Sequence, residues 1–282
     1  MLRAPGGEAP MTNTACTLTR GWILWALVLL ATTVDPSSAE EAPGTAPAPP
    51  PTVLVATGAK QPSVAVGPDG AIHVAMLMGG NIVVATSMDG GKTFGEPAIA
   101  IDAAGSARGG AQRGPRIGAD GKGRLFVTAF ATFDVAERSK RYPAADLYLV
   151  SSTDAGRTWT PPARVNEVEK KAPESLHSLA VSASGAAFVA WLDRRDRKTS
   201  GQDLWIAQID GAKIGPNRKV AEQVCECCAP GLALDATGNP FLAWREGVEQ
   251  DSREVVATRS IDGGKTFSKP QRVNRKETKE DG

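Results

Sequence analysis

Ionisable side chains that could bind or cleave a charged sugar are concentrated between the apolar segments of the chain. The planar guanidinium of arginine can bind a carboxylate through two parallel hydrogen bonds, and a nearby carboxylic acid could protonate a leaving oxygen. The substrate-binding candidates are Arg113, Arg116, His177, Asp193, Arg194 and Arg245. The catalytic candidates are Asp134 and Glu246. This set suits an anionic sugar, and the alternative is a group of ordinary surface ion pairs.

Three cysteines stand close together in the last quarter of the chain, at Cys225, Cys227 and Cys228. With the carboxylate of Glu226 they could hold Zn²⁺ or Cu⁺. Adjacent cysteines point poorly at one tetrahedral ion, however, and an oxidising compartment favours disulfides. We therefore expect a structural disulfide among these three, with no bound metal and no cofactor.

Four repeats position these side chains. Each repeat begins with a short alternating apolar stretch, ends it in a glycine-containing turn, and continues into a second apolar strand. The turn glycines are Gly70, Gly123, Gly185 and Gly238. Their spacing of roughly 50–60 residues is that of one four-stranded blade with its loops.

A sharper motif, Ser-x-Asp-x-Gly-x-Thr-aromatic, closes three of the repeats. Its members are Ser87, Asp89, Gly91 and Phe94, then Ser152, Asp154, Gly156 and Trp159, and finally Ser260, Asp262, Gly264 and Phe267. The third repeat holds only a decayed copy at 208–211. Ser and Asp side chains accept backbone N–H groups in such turns, and glycine supplies the left-handed position. We interpret these residues as structural rather than catalytic.

The motif resembles the Asp box (BNR repeat) of sialidases and related β-propellers. This resemblance implies an all-β fold of four-stranded blades, of which about four are present where the family usually has six. We expect either a chain shortened at its C-terminus or a true four-bladed propeller. The predicted boundaries are a signal peptide at 1–39, an Ala/Pro-rich linker at 40–51 and a propeller at 52–282. Its repeats lie near 60–108, 109–170, 171–222 and 223–273.

The resemblance to sialidases extends only partly to their active site. Arg113-Gly114-Pro115 matches the Arg-x-Pro segment of that family, but in the second repeat rather than the first. Asp134 takes the place of the acid/base Asp one repeat late, and the tyrosines available for the family's nucleophile are Tyr142 and Tyr148. The resemblance therefore implies an exo-α-sialidase-type hydrolase acting on acidic glycans. The alternatives are a non-catalytic propeller that binds a glycan or protein, and an inactive fragment of a longer enzyme.

The N-terminal segment predicts export. Arg20 precedes an apolar run at 22–30 that is shorter than a membrane span, and small residues at 37–39 suit a signal peptidase. We expect a secreted or periplasmic protein without a stable membrane span after cleavage, and a retained N-terminal anchor is the alternative. The 32 basic and 31 acidic residues nearly cancel, which argues against a nucleic-acid partner and leaves a glycan or glycoconjugate as the expected one.

Overall fold

The computed structural model describes residues 52–141, 143–196, 201–247 and 254–274. The predicted signal peptide (1–39), the predicted linker (40–51) and Tyr142 lie outside these ranges. In the described part the chain is almost entirely β-structure, with one short helix, α1 (Val135–Arg138). None of the helices in these ranges has the length and apolar character needed to span a membrane.

The described strands form four antiparallel sheets, which we call blades 1 to 4. Blade 1 contains β1 (Lys60–Val66), β2 (Ile72–Met78), β3 (Asn81–Ser87) and β4 (Ala98–Ile101). Blade 2 contains β5 (Arg116–Ala119), β6 (Leu125–Ala131), β7 (Asp146–Ser152) and β8 (Ala163–Arg164). Blade 3 contains β9 (His177–Val181), β10 (Ala187–Asp193), β11 (Gln202–Asp210), β12 (Lys213–Ile214) and β13 (Arg218–Val224). Blade 4 contains β14 (Gly231–Leu234), β15 (Pro240–Arg245), β16 (Val255–Arg259) and β17 (Gln271–Arg272).

Strands follow one another in each blade in the order of the sequence. In blade 3 the two-residue strand β12 folds back on β11, and β13 then pairs with β11 as the outermost strand. The inner hairpins close through tight turns: in blade 1 the N–H of Gly70 donates to the carbonyl of Gly67 at 3.0 Å, and Gly70 has a φ of +81°. A residue with a Cβ would be strained there, which explains the repeated turn glycine.

The Ser-x-Asp-x-Gly-x-Thr motifs join the third and fourth strands of blades 1, 2 and 4. In blade 2 the Ser152 hydroxyl donates to Asp154 at 2.7 Å and accepts the N–H of Gly156 at 2.9 Å. The two carboxylate oxygens of Asp154 accept the backbone N–H and the hydroxyl of Thr158. The same bonds recur in the other two copies. The motif thus closes its turn with its own side chains.

The apolar core lies between successive blades rather than within one sheet. One cluster joins Phe126 and Phe130 of blade 2 to Trp191 of blade 3, and Trp191 is fully buried. Equivalent clusters join blades 1 and 2 and blades 3 and 4. Interdigitated aromatic and β-branched side chains of this kind fix the angle between neighbouring sheets.

Antiparallel pairing divides the loops between two edges of every blade. The turns after the first and third strands share one edge, and the segments leading into the blade share the other with the loops after the second strand. The inner strands β1, β5, β9 and β14 contact one another in succession. Loops from several blades therefore converge at the second edge.

Candidate functional site

A cleft of about 510 Å³ opens at this second edge, between the segments that lead into blades 2 and 3. We call it the cationic cleft because five of its lining residues in the described chain are basic. These residues are Arg108, Arg113, Arg141, Lys170 and Arg194. Glu174 and Ser175 also line it. A cleft of this size could hold a ligand of one or two sugar rings.

The positive charges of the cleft are close enough to affect one another. Burial lowers the pKa of Arg108, and the neighbouring positive charge of Arg113 lowers it further, while Glu137 acts in the opposite direction. One terminal nitrogen of Arg108 donates to the carbonyl of Pro143. The Nε of Arg108 is buried and has no hydrogen-bond partner in the part of the chain that the structure describes. A bound anion would relieve this accumulation of charge.

Arg113 is held in place by Glu174 on the segment that leads into blade 3. Its Nη2 lies 2.7 Å from the Glu174 carboxylate, and its Nε donates to the Glu174 carbonyl at 2.5 Å. The side chains of the pair are 29% and 36% exposed, respectively. The guanidinium is therefore fixed in orientation but accessible, which prepares it for a second carboxylate.

Asp134 is held in place by a helix cap and an ion pair. Its carboxylate accepts the N–H groups of Ala136 and Glu137 at the start of α1, and it lies 2.6 Å from Nζ of Lys170. The hydrogen bond from Lys170 is the main reason why the pKa of Asp134 is lowered. Asp134 is consequently an anion at neutral pH. It is not a reservoir of the proton that a general acid must donate, which argues against the predicted acid role.

Ser175 combines strain with an unsatisfied hydroxyl. Its φ is +56°, which is a costly backbone conformation for a residue with a Cβ. The residue is 2% exposed, and its Oγ has no hydrogen-bond partner among the residues described. The cleft wall therefore contains a buried hydroxyl without a described partner.

Four predicted binding residues do not line the cleft, namely Arg116, Asp193, His177 and Arg245. The guanidinium of Arg116 donates to the carbonyls of Gln112, Gly114 and Pro115, so it orders the loop before β5. Asp193 is completely buried and accepts hydrogen bonds from Arg195 at 2.6–2.9 Å. These two side chains are occupied by the protein itself, which corrects the prediction that they bind substrate.

His177 is the third corrected residue. It is 1% exposed, its ring meets that of Phe130 edge-on at 5.3 Å, and its Nε2 lies 3.1 Å from the Thr128 hydroxyl. Burial, reinforced by the positive charge of Arg116, lowers the pKa of His177 to about 3. The imidazole is therefore neutral and packs between blades 2 and 3, out of reach of a ligand.

The remaining predicted residues lie on blade 4. Glu246 forms an isolated bridge with Val224 and is not among the residues lining the cleft. Nη1 of Arg245 lies 3.9 Å from Sγ of Cys228. The sulfurs of Cys225, Cys227 and Cys228 are 3.2, 3.6 and 3.7 Å apart, far beyond the roughly 2.05 Å of a disulfide bond. The structure joins none of the three in a disulfide, and the predicted bridge stays a prediction.

Sequence reasoning found Arg113 and Arg194 but missed four other charged residues of the cleft. These are Arg108, Arg141, Lys170 and Glu174. They stand in long irregular segments before β5, β7 and β9, where no periodicity assigns a side chain to a face. The length of these connections was the available signal, because long ordered loops are frequently functional.

Comparisons with known proteins show the fold. A Hadza microbial sialidase superposes with a TM-score of 0.53 at 17% identity, over 76% of this chain and 46% of the sialidase. An α-L-arabinanase of Penicillium chrysogenum, complexed with arabinobiose, gives a TM-score of 0.53 at 17% identity, over 77% of this chain and 67% of the arabinanase. The chain has a sialidase-like β-propeller fold. This confirms the predicted all-β propeller with about four blades.

A third similar structure is an ulvan lyase of polysaccharide lyase family PL25, bound to a glucuronate-containing ulvan fragment. It has a TM-score of 0.53 at 14% identity, over 77% of this chain and 56% of the lyase. The chain thus spans about half the length of the sialidase and of this lyase. No protein-family model and no curated protein sequence matches the chain.

Proposed function

We propose that this protein binds an acidic glycan in the cationic cleft. The observation that carries the proposal is the convergence of five basic side chains on one cleft of about 510 Å³. Arg108 is partly desolvated and lies near the positive charge of Arg113, which is costly unless an anion offsets the charge. The lowered pKa of Arg108 reflects that cost.

The chemistry of the cleft favours a carboxylate-bearing sugar. The planar forks of Arg113 and Arg194 suit a planar carboxylate, and the Ser175 hydroxyl suits the hydroxyl groups of a sugar ring. The names of the similar structures support a carbohydrate ligand, since they include a sialidase, an arabinanase in complex with arabinobiose and a lyase bound to a glucuronate-containing chain. The sequence at 1–39 supports our further proposal that binding takes place outside the cytoplasm.

The experiment is calorimetric titration of the purified full chain with sialyllactose, a glucuronate-containing oligosaccharide and neutral lactose. We expect binding of the acidic sugars and little binding of lactose. An ion pair at an exposed residue contributes up to about 1 kcal/mol, so Arg194→Gln should weaken binding by up to roughly fivefold. Arg194 is exposed, so the variant should fold normally.

Arg259→Gln is the matched control, because Arg259 is also exposed but belongs to β16 of blade 4. It should bind as tightly as the unaltered protein. Equal affinity for lactose and sialyllactose, or equal loss in both variants, would contradict the proposal.

Hydrolysis of sialosides is a second candidate function. It is favoured by the position of Arg113 from the Arg-x-Pro segment, which lines the cleft as the resemblance to sialidases implies. The test is release of the fluorophore from a fluorogenic sialic-acid glycoside, with Arg113→Ala beside the unaltered protein. Turnover that disappears in the variant would support a sialidase. Binding without turnover would leave the protein as a glycan-binding propeller.

A further inference from the structure

The three cysteines of the loop between β13 and β14 form a compact triangle, which we call the cysteine triad. Their sulfurs are 3.2 Å (Cys225–Cys227), 3.6 Å (Cys225–Cys228) and 3.7 Å (Cys227–Cys228) apart. All the ligand atoms lie within 4.8 Å of one another. Neither the core clusters nor the cationic cleft includes this triangle.

These distances match one face of a tetrahedral thiolate site. Four sulfurs at about 2.3 Å from Zn²⁺ would lie about 3.8 Å from one another. The observed separations are within about half an ångström of that value, although two of the cysteines are adjacent in sequence. The turn at 225–228 therefore brings all three sulfur atoms to one side, where they can bind the same ion.

The loop is anchored on both sides of the triad. The N–H of Cys225 donates to the carbonyl of Arg245 at 2.9 Å, and the N–H of Ala229 donates to the side-chain oxygen of Gln112 at 2.9 Å. The Glu226 carboxylate accepts the N–H of Gly201 at 2.5 Å. Contacts with three other segments fix the sulfurs in place, so little ordering is required when an ion binds.

An arginine lies beside the triad, and one side of the triad is accessible. Nη1 of Arg245 is 3.9 Å from Sγ of Cys228, and its positive charge offsets part of the negative charge of deprotonated sulfurs. Cys227 is exposed. A ligand from solution can therefore reach an ion held by the triad.

We propose that Cys225, Cys227 and Cys228 bind one Zn²⁺ ion as three thiolates and leave its fourth coordination position to a ligand from solution. Binding converts three thiols to thiolates and releases up to three protons, with no change of oxidation state. Three protein ligands with one open position is the arrangement of reactive rather than purely structural zinc sites. This site is separate from the cationic cleft and does not depend on the function proposed for it.

The test uses the full chain, purified under reducing conditions, freed of metal and titrated with Co²⁺ and then with Zn²⁺. Sulfur-to-cobalt charge-transfer absorption and intense visible bands should reach saturation at one Co²⁺ per chain. One equivalent of Zn²⁺ should abolish them. Each of the variants Cys225→Ser, Cys227→Ser and Cys228→Ser should weaken the metal affinity by about 100-fold or more, and Arg245→Met by about 10-fold or more.

Cys16→Ser is the matched control, since Cys16 is the remaining cysteine of the sequence and should leave the titration unchanged. Thermal denaturation of each metal-free variant verifies that it is folded. A titration without charge-transfer bands, or the same loss in the control, would overturn the proposal. A count of two reactive thiols in the protein as isolated would assign a disulfide instead, and binding of Cu⁺ with no retention of Zn²⁺ would assign a copper site.

Discussion

Neutralising Glu174 should strengthen the binding of acidic glycans in the cationic cleft. Glu174 is the carboxylate that engages Arg113, at 2.7 Å. Glu174→Gln removes its negative charge, and the amide oxygen that remains can accept only a weaker hydrogen bond from the guanidinium. The backbone carbonyl of residue 174 still accepts Nε of Arg113, so the arginine keeps its orientation.

The magnitude follows from the repulsion that the substitution removes. A ligand carboxylate on the free edge of Arg113 would lie roughly 6 Å from that of Glu174, where Coulomb's law gives about 0.7–3 kcal/mol for effective dielectric constants between about 80 and 20. The side chains of Arg113 and Glu174 are 29% and 36% exposed, so the weaker end applies. About 1 kcal/mol corresponds to roughly fivefold tighter binding.

The assay is calorimetric titration of sialyllactose into the unaltered protein and into Glu174→Gln, at low and at high salt. The gain in affinity should shrink as salt increases, because screening weakens both the attraction and the repulsion. Glu254→Gln is the control, since Glu254 forms a comparable ion pair with Arg272 on blade 4. An unchanged or lower affinity in Glu174→Gln would refute the assignment of the ligand carboxylate to Arg113.

Three further predictions concern stability. In denaturant unfolding, Gly264→Ala should be about 1–3 kcal/mol more destabilising than Gly263→Ala. Both residues have positive φ, but only a Cβ on Gly264 would meet Phe188, at 2.8 Å. Equal effects of the two substitutions would refute this. As pH falls from 6.5 toward 3, the unfolded chain protonates its histidines while buried His177 stays neutral, so the free energy of unfolding should fall. His177→Gln should flatten that slope more than His73→Gln, because the effect of burial on the pKa of His73 is partly offset by the charge of Asp69. The hydrogen bond from the Thr158 hydroxyl is the main reason why the pKa of Asp154 is lowered to about 2. The contribution of Asp154 to stability is therefore complete above its usual pKa of 3.8 and is lost as pH falls to 2. Asp154→Asn should lack that acid-dependent loss of stability in thermal melts.

The fold could be predicted from the sequence because its determinants are local. Gly70 and its counterparts need positive φ, and the motif around Asp154 closes its own turn, so both leave a signature in a few consecutive residues. Alternation of apolar residues identified the strands for the same reason. The order of the strands in each blade then followed from short connections.

The site could be predicted only in part, because its residues are brought together by loops. Arg113 and Arg194 were found, since both lie within two residues of a recognisable turn or strand end. Lys170 and Glu174 were not found, because their positions depend on how an irregular segment crosses the face of blade 2. Such a path is determined by contacts between blades and leaves no periodic pattern in the sequence.

The wrong assignments have a common physical cause. His177 and Asp193 are the first residue of β9 and the last of β10. Their side chains point into the packed space between blades, where His177 meets Phe130 and Asp193 accepts hydrogen bonds from Arg195. A difference of one residue in a strand boundary reverses the face that a side chain occupies.

The most direct test of the cationic cleft as a glycan site is a crystal structure of the full chain with sialyllactose bound. Our account predicts that the sugar lies in the cleft, with its carboxylate about 3 Å from the guanidinium of Arg113 or Arg194. It also predicts that a sugar hydroxyl contacts Oγ of Ser175. A sugar bound on another face, or one whose carboxylate points to solvent, would contradict it.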